Sequence, residues 1–333
     1  MKKILLLLLA ILIAFTFWYR HALTAAGDNA SREVVKIPKG SSVQDISSIL
    51  KEADLIRSPF AFSLYARMSG QARSLQAGSF VVRQAMTTQD IVGVLAGGKA
   101  EEEVITIPEG YTVADIDALL AEKGITEPGA ILQCAQTCDF SSFAFLPTVS
   151  GLAKRGGKIE GYLYPDTYYI ALDGFEPKFF LERLLTTFRK RVIEDLSKDI
   201  GQSKRPLHEI VTMASLIEEE TRTSEERTVV SGILWKRLDD KVGLGVDATV
   251  RYILEKPTGA LTTADLNVDS AYNLRKFRGL PPGPIANAGL QSIRAALAPA
   301  DSPYYYYLHG TDGIIRYART NEEHNLNKYK YLQ

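Results

Sequence analysis

One segment of this chain occurs twice. Val35-Lys36-Ile37-Pro38-Lys39-Gly40-Ser41-Ser42-Val43-Gln44-Asp45-Ile46 returns at a single offset as Ile105-Thr106-Ile107-Pro108-Glu109-Gly110-Tyr111-Thr112-Val113-Ala114-Asp115-Ile116, with Ile, Pro, Gly, Val, Asp and Ile in register. A repeat constrains the fold strongly, because each copy must be one supersecondary unit. Each reads as a short strand, a Pro-x-Gly turn, a Ser or Thr N-cap and an amphipathic helix. Ile46, Ile49 and Leu50 carry the apolar face of one helix, and Ile116, Leu119 and Leu120 that of the other.

The rest of the chain is organised around these copies. After the first, Gly78–Val82 is strand-like, and Thr87-Thr88-Gln89-Asp90-Ile91 opens a helix closed by Gly97-Gly98. Residues 33–103 therefore form a small α/β unit, and residues 104–155 hold the second copy and a loop-rich connection. Residues 156–333 follow as a larger mixed α+β domain. It contains an amphipathic helix over Pro177–Lys198 and another opened by Thr223 and Glu226 at capping-box spacing. A β-hairpin follows, with strands Tyr304–Leu308 and Ile314–Ala318 around a Gly310-Thr311-Asp312-Gly313 turn.

The start of the chain is of another kind. Met1-Lys2-Lys3 precedes an apolar run from Ile4 to Tyr19, ended by Arg20 and His21. Its exit is rich in aromatics (Phe15, Phe17, Trp18, Tyr19), as at a membrane interface. Residues 1–21 read as a cytoplasmic tip and a membrane anchor, with residues 4–19 in the cytoplasmic membrane and residues 22–32 as linker. The alternative is a signal removed near Thr24-Ala25-Ala26. Lys2 and Lys3 keep the N-terminus in the cytoplasm and put the body outside, on the periplasmic side. There, Cys134 and Cys138 form a disulfide by default, since their spacing is not the redox C-x-x-C.

The larger domain centres on Arg205–Thr221, which reads as a helix with Pro206 in its first turn. Ile210, Met213, Ala214, Ile217 and Thr221 share one arc. Thr212, Ser215 and Glu219 lie opposite, so Glu219 is expected to face water. Glu218 and Glu220 stand on the two shoulders of the apolar arc. A carboxyl group on such a shoulder is partly desolvated, which favours its protonated form. A carboxylic acid that holds a proton near neutral pH suits glycosidic-bond cleavage.

Several chemistries are excluded or unsupported. The 39 basic and 39 acidic residues cancel, so no basic footprint for nucleic acid is present. G-x-S-x-G, H-E-x-x-H, the P-loop and the dinucleotide fingerprint are all absent. The histidines are too scattered to suggest a metal site, and no cofactor is expected.

Six segments occur in order: Ile-Glu-Gly-Tyr-Leu-Tyr-Pro-Asp-Thr-Tyr (159–168), Ala-Ser-Leu-Ile-Glu-Glu-Glu-Thr (214–221), Gly-Val-Asp-Ala-Thr-Val (245–250), Tyr-Asn (272–273), Gly-Leu-Pro-Pro-Gly-Pro-Ile (279–285) and Glu-His-Asn (323–325). The set resembles the YceG-like (MltG) family of endolytic murein transglycosylases over nearly the whole chain. The chain departs from that pattern at Ala248 and Ala288, where the family often has proline. The resemblance implies a membrane helix, a LysM-like α/β module over 33–103 and an α+β catalytic domain with its acid on a central helix. It places the catalytic acid on Glu218. The implied reaction cleaves between N-acetylmuramic acid and N-acetylglucosamine and leaves a 1,6-anhydro end. The implied partners are peptidoglycan glycan strands and class A penicillin-binding proteins. Asp247, Thr249, Tyr272, Asn273, Tyr162 and Asp166 are expected to hold the sugars, with Glu220, His324 and Asn325 supporting. Two variants stay open: a hydrolase using Asp247 as second carboxylate, and a non-catalytic wall-binding tether for synthases.

Overall fold

Both copies of the repeat fold as strand, turn and capped helix. Ser42 and Asp45 close a capping box on one helix, and Thr112 and Asp115 close the same box on the other. In each, the N-cap hydroxyl accepts the backbone N–H three residues on, and the aspartate returns the contact to the N-cap N–H. The computed structural model describes residues 2–27, 33–97, 102–152, 156–171 and 175–332. The expected linker over 22–32 therefore lies outside the described residues from position 28 on, as does Gly98.

The chain forms two compact units, Met1–Val104 with Tyr169–Phe175, and Ile105–Tyr168 with Glu176–Gln333. The second copy of the repeat thus clusters with the C-terminal residues.

The first unit runs α1 (Lys2–Ala22), β1 (Glu33–Ile37), α2 (Val43–Glu52), α3 (Pro59–Met68), β2 (Gly78–Val82) and α4 (Thr88–Gly97). β1 and β2 pair antiparallel, from Glu33 opposite Val82 to Ile37 opposite Gly78. Alternation along β1 sends Val35 and Ile37 inward, onto Ile46 and Leu50 of α2, Phe62 of α3 and Ile91 and Leu95 of α4. Each large side chain so buried contributes roughly 1.5–3 kcal/mol. The end of α1 is held to this unit, with Ala22 and Leu23 packed on Ala61. Among the described residues, no helix is long and apolar enough to cross a membrane. The span expected over residues 4–19 falls on α1, a helix of 21 residues.

β3 (Glu102–Thr106) pairs with β4 (Thr167–Ala171), and the division between the units falls within both strands. Between them come α5 (Val113–Glu122) and α6 (Ala130–Thr137). The sequence reading takes the region of α6 as loop. A helix forms there because buried Asp117 accepts N–H groups from Gly129 at 2.7 Å and Ile131 at 2.9 Å, capping α6 from a distance. Cys134 and Cys138 are joined by a disulfide at the C-terminal end of that helix.

The remaining elements are α7 (Pro177–Phe188), α8 (Ser197–Gln202), α9 (Leu207–Glu220), α10 (Ser224–Asp239), α11 (Asp247–Leu254), α12 (Thr263–Leu266), α13 (Leu290–Leu297), β5 (Tyr306–His309), β6 (Ile315–Ala318) and α14 (Asn321–Tyr331). The single helix expected over 177–198 is instead α7, a π-helical stretch at Arg189–Glu194 and then α8. β5 and β6 form the expected hairpin. At α10, Thr223 caps Glu226 N–H, and the Glu226 carboxylate accepts from Arg222 N–H at 2.8 Å.

α9 is the centre of the second unit. Every residue from Ile210 to Ile217 is buried, including Thr212 and Ser215. The expected polar face is therefore absent over these turns, because α10, α11 and α13 pack around the helix. Its hydroxyls are satisfied locally: Thr212 donates to His208 O, and Ser215 donates to Thr212 O and accepts Ile285 N–H.

Candidate active site

Glu218 stands in the last turn of α9, with its side chain 8% accessible. Two groups address its carboxylate. Arg227 of α10 brings Nη2 to 3.2 Å from Oε1, and the backbone N–H of Gly289 donates to Oε2 at 2.9 Å. Gly289 is the N-cap of α13, so the carboxylate also lies at the positive end of a helix. Arg227 is itself pinned, since its Nε donates to Ser292 Oγ at 3.0 Å. The burial expected on the shoulder of α9 is present, and the cation is an addition that the helix pattern did not contain.

A second carboxylate faces the same guanidinium. Glu109 Oε2 lies 4.0 Å from Arg227 Nη2. Burial pushes its carboxyl up from the ordinary value, the charge of Glu218 adds to this and Arg227 opposes it. The sequence reading did not single out Glu109. The available signal was the repeat, since Lys39 occupies the matching place in the first copy.

Glu109 also borders a cleft of about 630 Å³. The Gly110–Thr112 turn, α5 and α11 form its walls, with Asp115, Glu160 and Glu219 among its acidic groups and Tyr252 and Ile285 among its other lining residues. Glu219 is exposed, as expected, but it opens into this cleft. Burial by the cleft walls pushes its carboxyl up to about 7, assisted by the charges of Glu218 and Asp115. Glu160, only 3% accessible, is pushed up to about 7 by burial; it accepts Val113 N–H at 3.0 Å and the Tyr252 hydroxyl at 3.1 Å.

Asn287 joins the parts of this site. Its side-chain oxygen accepts Leu163 N–H at 2.8 Å, and its amide nitrogen donates to Tyr111 O at 2.7 Å. Its backbone also pairs with Gly110 N–H and Tyr111 O. The turn bearing Glu109, the 159–168 segment and the 279–289 loop are thereby held in one register. Gly110, at φ +82°, is what lets the turn close. His208 braces the proline-rich loop. Pro282 O can only accept, so Nε2 of His208 carries a proton toward it at 2.8 Å, and Nδ1 meets the Tyr162 hydroxyl at 2.9 Å.

The expected sugar contacts fare unevenly. Tyr162 is fully buried behind His208 and does not line the cleft. Thr249 is fully buried and donates to Val246 O at the N-cap of α11. Asn273 is fully buried; its amide donates to Leu266 O and Val268 O, and its oxygen accepts Arg275 N–H. Tyr272 is 4% accessible and packs on Tyr252 at 5.6 Å between ring centres. Thr249 and Asn273 spend their polar groups on backbone carbonyls that need partners when buried, a demand that residue type alone does not reveal. Asp166 is exposed and accepts Thr167 N–H. Asp247 is held by Arg275 through two contacts of 2.5 and 2.8 Å. Glu220 accepts a hydrogen bond from Tyr307 at 3.0 Å. Burial pushes it up to about 7, with Asp247 and Glu219 adding and Arg275 opposing. His324 stacks on Tyr306 at 5.1 Å, and Asn325 is exposed on α14. Among the described residues, no cluster of His, Cys, Asp and Glu could hold a metal ion.

Fold and site together define an α+β protein whose central helix ends in a buried carboxylate beside an acidic cleft. The YceG-like family's sequence model matches residues 35–330, and the chain belongs to that family. It is 33% identical to the endolytic murein transglycosylase of Bacillus subtilis (strain 168), across 97% of this chain and 91% of that protein. It is 30% identical to the endolytic murein transglycosylase of Streptococcus pneumoniae serotype 2 (strain D39 / NCTC 7466), across 90% of this chain and 58% of that protein. The crystal structure of a YceG-like protein from Listeria monocytogenes superposes with a TM-score of 0.63 at 31% identity, covering 89% of this chain and 99% of that one.

Proposed function

We propose that this protein is an endolytic murein transglycosylase with Glu218 as its acid and base. The observation that carries this reading is Glu218 itself: a carboxyl group with 8% accessibility, at the end of the central helix, between a cation and a helix N-terminus. The names and coverage of the relatives support the same substrate.

The chemistry requires one carboxyl group. Protonated Glu218 donates to the oxygen linking N-acetylmuramic acid to N-acetylglucosamine, and the C1–O bond breaks. The resulting carboxylate takes the proton of the 6-hydroxyl of the same muramic acid. Its O6 closes on C1 to form the 1,6-anhydro ring, and Glu218 is protonated again. No water is consumed. Arg227 and the Gly289 N–H serve the intermediate stage, in which Glu218 is charged. Cutting inside nascent strands in this way terminates their elongation.

The setting is also a proposal. α1 exposes Leu7, Leu8, Leu9, Ile11, Leu12 and Ile13. We propose that this apolar surface attaches the protein to the cytoplasmic membrane, with the body outside and class A penicillin-binding proteins as neighbours. The small unit over residues 33–103 suits a LysM-like glycan-binding role.

The deciding experiment is a digest of intact sacculi with the full-length protein, the product ends being identified by mass. Anhydro ends are expected. Reducing ends would make the protein a hydrolase, which needs a second carboxylate about 5–9.5 Å away to activate water. No cleavage, with glycan binding retained, would leave the tether for wall synthases.

A further inference from the structure

Arg227 does not serve Glu218 alone. One nitrogen of its guanidinium, Nη2, lies 3.2 Å from Glu218 Oε1 and 4.0 Å from Glu109 Oε2. Its side chain is 13% accessible and tied to Ser292 through Nε, so it is held where both carboxylates reach it. Gly289 stands at the same junction. Its N–H donates to Glu218, and a Cβ added to it would fall on the Glu109 carboxylate. The backbone there (φ −70°, ψ 166°) is open to any residue, so the missing side chain is a matter of room for Glu109.

We propose that Glu109 is a positioning residue for the transglycosylase reaction, acting through Arg227: it draws the guanidinium's charge toward itself and so leaves Glu218 able to carry the proton it must donate. This rests on the function proposed above. Two carboxylates share one cation in a largely enclosed site, so the three groups are neutral together when one proton is present. With Glu109 neutralised, the whole of Arg227 is available to Glu218, and the charged form gains. Glu109 is half exposed and borders the cleft, where incoming glycan would shield it from water and sharpen its claim on Arg227. Among the described residues, the other titratable groups facing the cleft that Glu109 borders are Glu219 of α9, Asp115 of α5, Glu160, Tyr111 of the turn, and Arg251, Tyr252, Glu255 and Lys256 on and just after α11, with Tyr164 also near Glu109. All of them remain when Glu109 is replaced.

The test is a pH–rate profile of the full-length protein in detergent, reading release of anhydro-ended fragments. In Glu109→Gln, release at pH 7 falls by about tenfold or more, and the alkaline limb of the profile moves to lower pH, since a shift of one unit is tenfold in the protonated fraction. In Arg227→Gln, the further change Glu109→Gln has a smaller effect than in the wild-type protein, because only the direct repulsion between the two carboxylates is left. Glu109→Asp keeps the charge and restores the limb. A Glu109→Gln protein with the wild-type rate and the same alkaline limb overturns the proposal. So does a fall in rate with no movement of the limb, as does equal damage with and without Arg227. Should Glu109→Gln lower the melting temperature, Glu109→Asp decides: recovery of the limb supports the proposal and its failure overturns it. If the wild-type protein releases no anhydro ends, it is the proposed function that fails, and the two failures are distinct.

Discussion

Gly289 donates its backbone N–H to Glu218 across 2.9 Å, joining the first turn of α13 to the last turn of α9. The contact uses an N–H that no helix can satisfy internally, and it aims the helix end at a carboxylate. The other side of Gly289 is occupied by the Glu109 carboxylate. Gly289→Ala is therefore expected to displace Glu109, whose flexible and half-exposed end can yield. Stability falls by no more than about 1 kcal/mol, at the low end of overpacking costs. Fragment release falls much further. Thermal unfolding and a sacculus digest on the same sample check this, and a large loss of stability would show that the turn cannot give.

Glu218→Gln keeps the shape and an acceptor for Gly289 N–H but removes the transferable proton. The loss of anhydro-ended product is expected to be about 10²-fold to 10⁴-fold, the usual range for general acid–base groups. Melting temperature and binding to sacculi should be nearly unchanged. An active Glu218→Gln protein would move the acid elsewhere.

Asn287→Ala removes the acceptor of Leu163 N–H, which is buried, and the amide donor to Tyr111 O. Tyr111 O keeps the backbone N–H of residue 287 as a partner, so the chief cost is the orphaned Leu163 N–H. A loss of about 1–3 kcal/mol is expected by denaturant titration. Activity should fall as well, because the turn carrying Glu109 is released.

Glu160 holds its proton more tightly in the folded protein, near pH 7, than an ordinary carboxyl group does near 4.5. Its folded-state value is raised, so its contribution to stability is complete below about pH 4.5 and is lost as pH rises through about 7. The full span is about 3 kcal/mol. Glu219 and Glu220 titrate in the same window, so the check compares slopes. Between pH 5 and pH 8 the melting temperature of the wild-type protein should fall more than that of Glu160→Gln. Equal slopes would refute the assignment.

What the sequence determined by itself was local. The Ser and Thr N-caps of the two repeat helices, the 306–318 hairpin, the helix now seen at Leu207–Glu220 and the shoulder position of Glu218 were legible from neighbours within a few turns. Spacing alone settles such features, because periodicity and end groups act over that distance. The tertiary structure decided which polar groups meet. Helices closing round α9 buried Thr212 and Ser215, which periodicity had turned outward. Loop backbone consumed Asn273 and Thr249 before any sugar could reach them. Glu109, Arg227 and Gly289 lie far from Glu218 along the chain or on separate elements, and no periodicity links them. A charge's partners follow from packing in three dimensions, and only the folded chain states which guanidinium two carboxylates must share.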